Sequence, residues 1–334
     1  MERLVLIVCQ LEESKRFIKT DDVAYLRMAL LLLDNASEVL MYRAVVDALQ
    51  HDDIYDHMFS YARERMPKEE YEKFKAGTSY ELIPKNKRKA ILRYYDEKVD
   101  FLIERENLEE AVGGVLKSMH RYRNEAYHRD VVRKATIKPA VILLYELVCH
   151  LLETLNPGGM SYSSGDNWSE FCQKYKLDNY MSVMHGGLEK IVASLRDSMA
   201  LSCTDLGKLF SEHVHDRIED MGESLEFIIK NTTGADDLAD ELKRIQYWKK
   251  YERLPIKKED QDEFDHYSPK YSIESFSDWK RAADALLEER EKLEVFNKFS
   301  KIEAVLGPLE EMISEVAGLV DQAIQAEIDR IRGK

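Results

Sequence analysis

Arg123-Asn-Glu-Ala-Tyr-His128 places a guanidinium, a carboxamide and an imidazole within about one and a half helical turns, and His120 lies a little upstream. Histidine exchanges protons in either direction near neutral pH. Arginine stays charged and offers a planar fork that matches phosphate oxygens. His120, Asn124 and His128 recur every fourth residue, so an amide stands one turn from each imidazole. This inventory suits phosphodiester chemistry, and Lys117, Arg121, Arg129 and Arg133 around it make the surroundings basic.

The positioning element is a helix expected over residues 108–128. With His120 at zero and about 100° per residue, Arg123, Asn124, Tyr127 and His128 fall near 300°, 40°, 340° and 80°. Val115, Met119, Tyr122 and Ala126 cluster at about 200–260°. One face is core and the other is a polar surface. Arg123 and His128 nevertheless differ by about 140°, too far for one phosphate to meet both from a straight helix. Either the helix deforms before His128, or two chains pool their residues.

Arg123 to His128 resembles the Arg-x4-His motif of the HEPN superfamily, in the form where asparagine follows the arginine. The context is similar to that family's too: a Leu-rich helix carries Leu33-Asp34-Asn35-Ala36 upstream, and a further helix is expected at 136–155. The resemblance covers roughly residues 1–155 and departs from one variant, which has tyrosine where this chain has Asp130. It implies a helical bundle, a homodimer with a composite active site, and metal-independent, cofactor-free cleavage of RNA such as tRNA or another single-stranded RNA. Many relatives serve toxin–antitoxin or antiphage defence systems, which would supply an antitoxin or regulatory partner. By the same resemblance His128 is the acid/base group and Arg123 the phosphate holder. Asn124 would orient the imidazole, and His120 would be a second proton-transfer group. The competing expectation is a catalytically silent helical dimer that binds a partner protein or a nucleotide through the same face.

The rest of the chain is read from composition and period. Charged residues make up 34% of the 334 and hydrophobic ones 44%, with 14 Gly and 7 Pro, the balance of an all-α chain. The net charge of −14 argues against a nucleic-acid partner until it is divided. Residues 1–155 carry 25 Lys+Arg against 27 Asp+Glu, net −2, so residues 156–334 carry net −12. Within the first part, Lys85, Lys87 and Arg88 form a second basic segment that could contact RNA.

Asp21-Asp22 caps a helix whose apolar positions Leu26, Ala29, Leu30, Leu33, Ser37, Leu40, Ala44 and Val45 persist to about Leu49. Asp34 and Asn35 interrupt its Leu-rich face, so they either meet solvent or turn to the Arg123 and His128 cluster. Residues 51–80 read as less regular, with a helix start after Met66-Pro67 and a stop at Gly77-Thr78; one helix is expected over 86–105. Cys9, Cys149, Cys172 and Cys203 lack paired spacing and read as reduced thiols of a cytoplasmic protein. The first ten residues lack signal-peptide features, and no apolar run reaches membrane-spanning length.

Asn156 to Gly165 is rich in turn formers and suggests a boundary, giving a bundle over 1–155 and an acidic helical region, sensing or partner-binding, over 156–334. There the stripe Met184, Leu188, Ile191, Leu195, Met199 precedes a Ser202 and Asp205 cap. A second stripe runs Leu206, Phe210, Val214, Ile218, Met221, Leu225, Ile228. Residues 252–275 read as a loop or insertion, and 279–299 with 308–331 as two long helices, in an antiparallel hairpin or a coiled-coil-like arm. His213 and His215 lack further ligands at metal spacing, so no metal site is expected.

Overall fold

The computed structural model describes residues 2–78, 80–128, 134–155, 169–178, 186–197, 199, 201–232, 235, 237–252 and 258–332. Every regular element among them is helical, so the protein is all-α. The chain divides into two compact units, Met1–Leu201 and Ser202–Lys334.

The first unit is built around one long helix. α2 (Val23–Arg65) starts where Asp22 accepts hydrogen bonds from the backbone N–H groups of Ala24 and Tyr25, and it contacts α1 (Glu2–Thr20), α5 (Tyr95–Glu104), α6 (Glu110–His128) and α7 (Ile137–Thr154). Leu26, Ala29, Leu30, Leu33, Ser37, Leu40 and Val45 are buried along it. Each such leucine contributes roughly 1.5–3 kcal/mol by leaving water. α2 does not end near Leu49. Phe59 and Ala62 extend the buried face across the stretch expected to be irregular, and Phe59 packs edge-on against Phe74 of α3 (Lys68–Gly77).

The helix expected over 86–105 is two helices, α4 (Lys85–Arg93) and α5, because Tyr94 takes an extended backbone, φ −101° and ψ 137°, between them. The kink leaves Tyr95 buried and Tyr94 exposed. α8 (Ser169–Lys174) and α9 (Gly187–Arg196) also belong to the first unit. Ile191, Val192 and Leu195 of α9 are buried; Tyr145 donates to the Leu195 carbonyl over 2.8 Å and Lys15 to the same oxygen over 2.9 Å. These contacts carry the unit past the division expected at 155/156. The turn formers Asn156 to Gly165 lie outside the described residues, as do Met184, Arg129, Asp130 and Arg133.

In the second unit α10 (Cys203–Asn231) begins at Ser202, whose hydroxyl accepts from the Asp205 N–H at 3.0 Å. α11 (Leu238–Tyr251), α12 (Lys258–His266), α13 (Ile273–Asp284) and a 3-10 turn at Ala285–Glu288 lead to α14 (Lys292–Ile331). Two expectations change here. The segment 252–275 contains a helix, α12, whose Phe264 is buried against Tyr247. The two C-terminal helices are a single helix of 40 residues that passes through Pro308. It runs alongside α10 in the same direction: Phe210 stacks on Phe299, while Arg217, further along α10, pairs with Glu303 and Glu310, further along α14. A parallel pair needs the intervening elements to carry the chain back, which is the work of α11 to α13; the hairpin expected of 279–299 with 308–331 is excluded because α14 continues through Pro308 without a turn.

Candidate functional site

The apolar side of α6 is buried as its period requires, with Val115, Met119, Tyr122 and Ala126 in the core. That anchoring points His120, Arg123 and Asn124 along the rim between α6 and α2. Arg27 of α2 donates to the Ala126 carbonyl and ties down the last turn of α6.

Asp34 is the centre of the arrangement. Its side chain is 2% exposed, on the core face of α2, a place where a carboxylate needs partners. His120 Nδ1 lies 3.0 and 3.2 Å from its two oxygens. Arg123 Nε stands 3.4 Å from Oδ2, an ion pair outside hydrogen-bonding geometry. The same guanidinium donates through Nη1 to Asn124 Oδ1 at 2.8 Å and sits 5.5 Å from the Tyr127 ring centre. Behind the imidazole, Tyr95 of α5 stacks at 3.9 Å with the planes 7° apart. The Tyr95 hydroxyl is 3.1 Å from Ser37 Oγ, which donates to the Asp34 carbonyl over 2.7 Å. Burial, followed by the Asp34 charge, raises the Tyr95 phenol well above its usual range, so it stays neutral as a stacking platform.

Of the residues expected to do chemistry, the structure brings His120, Arg123 and Asn124 together and turns Asp34 to them, while Asn35 is exposed. His128 is on the exposed last turn of α6, edge-on to Tyr127 with ring centres 5.0 Å apart. Asn124 turns its carbonyl oxygen to Arg123. α6 remains helical through His128, which removes deformation as a way to bring His128 round to Arg123.

The basic residues divide. Lys117 binds Asp100 at 2.6 Å and Lys87 binds Glu104 at 2.8 Å. Arg88 pairs with Asp53 at 2.5 Å and donates to the Leu49 carbonyl at 3.2 Å, which fastens α4 to α2. Arg121 is exposed and donates to Ser118 Oγ at 3.0 Å, and Lys85 is exposed. Among the described residues no group of three or more His, Cys, Asp or Glu side chains is placed to hold a metal ion, and no helix is long and apolar enough to cross a membrane. The four cysteines are unpaired, Cys149 and Cys172 buried and Cys9 exposed.

The second unit has an opening of its own, a bowl of about 510 Å³ between α10, α11 and α14 lined by Ile228, Glu241, Trp248, Val316 and Val320. Glu241 is buried there and its carboxyl is raised above the usual range by loss of water. His213 and His215, adjacent but for one residue, go separate ways: His215 Nε2 is 2.8 Å from Asp284, and His213 packs against Phe299.

Sequence reasoning missed Tyr95, Ser37 and Arg27. One signal for the first two was present: Asp34 and Ser37 both fall on an otherwise apolar stripe, and buried polar groups seek each other. Comparison with protein-family models, curated protein sequences and solved structures finds no match to this chain.

Proposed function

We propose that the chain is an endoribonuclease of the HEPN kind, with the polar rim of α6 as half of its active site. The observation that carries this reading is the Asp34, His120 and Arg123 cluster: a partly exposed guanidinium and imidazole, fixed from behind, on the face that bears the Arg-x4-His motif. Arg123 holds the scissile phosphate and offsets the charge that develops on it. His128 removes the proton of the ribose 2′-hydroxyl, whose oxygen attacks phosphorus, leaving a 2′,3′-cyclic phosphate and a 5′-hydroxyl end.

His128 does not share the rim of Arg123, so the complete site draws it from a second copy of the chain. The cleavage is metal-independent, and a role in toxin–antitoxin or antiphage defence with an antitoxin or regulatory partner in the cytoplasm follows from the same reading. The test is cleavage of single-stranded RNA and of tRNA in EDTA. Arg123→Ala and His128→Ala should each abolish it, and mixing the two variant proteins should restore part of it, because a heterodimer rebuilds one intact site. Cleavage unchanged in both variants overturns the reading. One observation favours the silent scaffold instead: Lys87, Arg88 and Lys117 spend their charge on carboxylates of their own unit. A scaffold leaves RNA intact, and its expression is tolerated equally with and without the two substitutions.

A further inference from the structure

We propose that Asp34 is a positioning residue that presents His120 as the second proton-transfer group, acting through Nε2; this rests on the ribonuclease reading above. A carboxylate oxygen only accepts, so both Asp34 contacts to the ring require the proton on Nδ1 and leave Nε2 as the atom that gains or gives one. Tyr95 stacks on the ring face at 3.9 Å and confines its plane, and the Tyr95 hydroxyl lies 3.1 Å from Ser37 Oγ. The arrangement has the parts of an orienting dyad, in which a buried acid selects the tautomer of an imidazole whose far nitrogen does the chemistry. His120 keeps 20% of its side chain exposed whereas Asp34 keeps 2%, so the outward atom is on the imidazole and the acid stays behind it.

The charged neighbours fit that division. From α2 the ring faces Asp34, with Glu38 one turn on, bound to the buried Lys98 of α5 at 2.9 Å. From α6 it faces Arg123, which shares Asp34 and reaches outward to Asn124. The acid therefore couples the phosphate holder and the proton donor through one side chain.

The two histidines are eight residues apart, about 12 Å along α6, beyond the span of one phosphodiester. His120 and Arg123 of one copy therefore work with His128 of the other. The 2′-oxygen bonds to phosphorus after His128 takes its proton. The bond from phosphorus to the 5′-oxygen breaks as His120 Nε2 delivers a proton to that oxygen. His120 is left neutral with its remaining proton on Nδ1, the form that Asp34 holds.

The experiment combines long-range proton–nitrogen correlation spectra of the imidazoles in the 15N-labelled full chain, at a pH where the rings are neutral, with steady-state cleavage of single-stranded RNA. His120 should show a protonated Nδ1 and a bare Nε2. Asp34→Asn should shift it to the Nε2-protonated form and lower kcat more than it changes KM. His120→Ala should lower kcat about 10²–10⁴-fold. A wild-type His120 protonated on Nε2 overturns the proposal without any variant, so a poorly folding Asp34→Asn protein does not protect it. Cleavage that survives His120→Ala at full kcat overturns it too and leaves the ribonuclease reading standing. No cleavage by the wild-type protein overturns both.

Discussion

Among the buried carboxylates that pair with arginines, Asp34 of the first unit and Glu303 of the second differ in what else they hold. In the first unit Asp34, 2% exposed, bridges Arg123 and His120 at a rim open to solvent. In the second unit Glu303, 4% exposed, pairs with Arg217 at 3.1 Å, and Glu310 takes the other side of the guanidinium, further along α10 and α14 than the stacked rings of Phe210 and Phe299. The second cluster ties α10 to α14, and the histidine nearest to it, His213, packs against Phe299. In the first, an imidazole is hydrogen-bonded directly to the buried acid. A buried charge is thus no mark of a functional site by itself; a group able to change protonation, with an open side, is the distinguishing feature.

The comparison can be broken most sharply at Glu303. Glu303→Ala leaves the Arg217 guanidinium with Glu310 alone and should cost about 1–3 kcal/mol in urea unfolding, with RNA cleavage untouched; a loss under about 1 kcal/mol would place the second cluster among the weak surface pairs. Arg123→Met should show the reverse pattern. Cleavage should fall about 10²–10³-fold in kcat/KM, the scale of a lost charge-stabilising donor. A change in melting temperature larger than that of Glu303→Ala would mark Arg123 as structural.

A smaller pair of effects tests the packing of α10 that the second cluster serves. A Cβ on Gly207 would meet the Leu286 carbonyl oxygen at 2.7 Å, whereas one on Gly222 meets nothing within 4 Å. Gly207→Ala should therefore destabilise by about 1–3 kcal/mol. Gly222→Ala, in the same helix, should stabilise by roughly 0.5–1 kcal/mol. Equal effects would mean that α10 is not held against the turn at 285–288.

The smallest effect concerns His213, beside the second cluster. Burial, with Arg217 next, lowers its pKa below the ordinary value. The unfolded chain binds the extra proton first, so stability is complete above about pH 6.5 and is lost as pH falls through that value towards the folded one. The melting temperature between pH 5 and 7.5 should fall less steeply in His213→Gln. An identical slope would remove His213 from the account.

Much of this was legible in the residues. The stripes on α2, α6 and α10, the Asp22 and Ser202 caps and the polar rim of α6 all follow from local period and local hydrogen bonding. Element ends were harder: the break at Tyr94 and the unbroken course through Pro308 answer to neighbours, since Tyr95 must reach Asp34's surroundings and α14 is held along α10 on both sides of the proline.

The sequence by itself determined an all-α chain, the helix bearing Arg123 to His128, and which of its faces is core, because a helix repeats over a few residues and its apolar spacing is visible in that window. Tertiary structure alone decided that Asp34 lies against His120 across 86 residues, with Tyr95 behind the ring, and that α14 runs parallel to α10. Those outcomes depend on how whole helices pack, where many side chains interlock at once, and no local spacing records the choice.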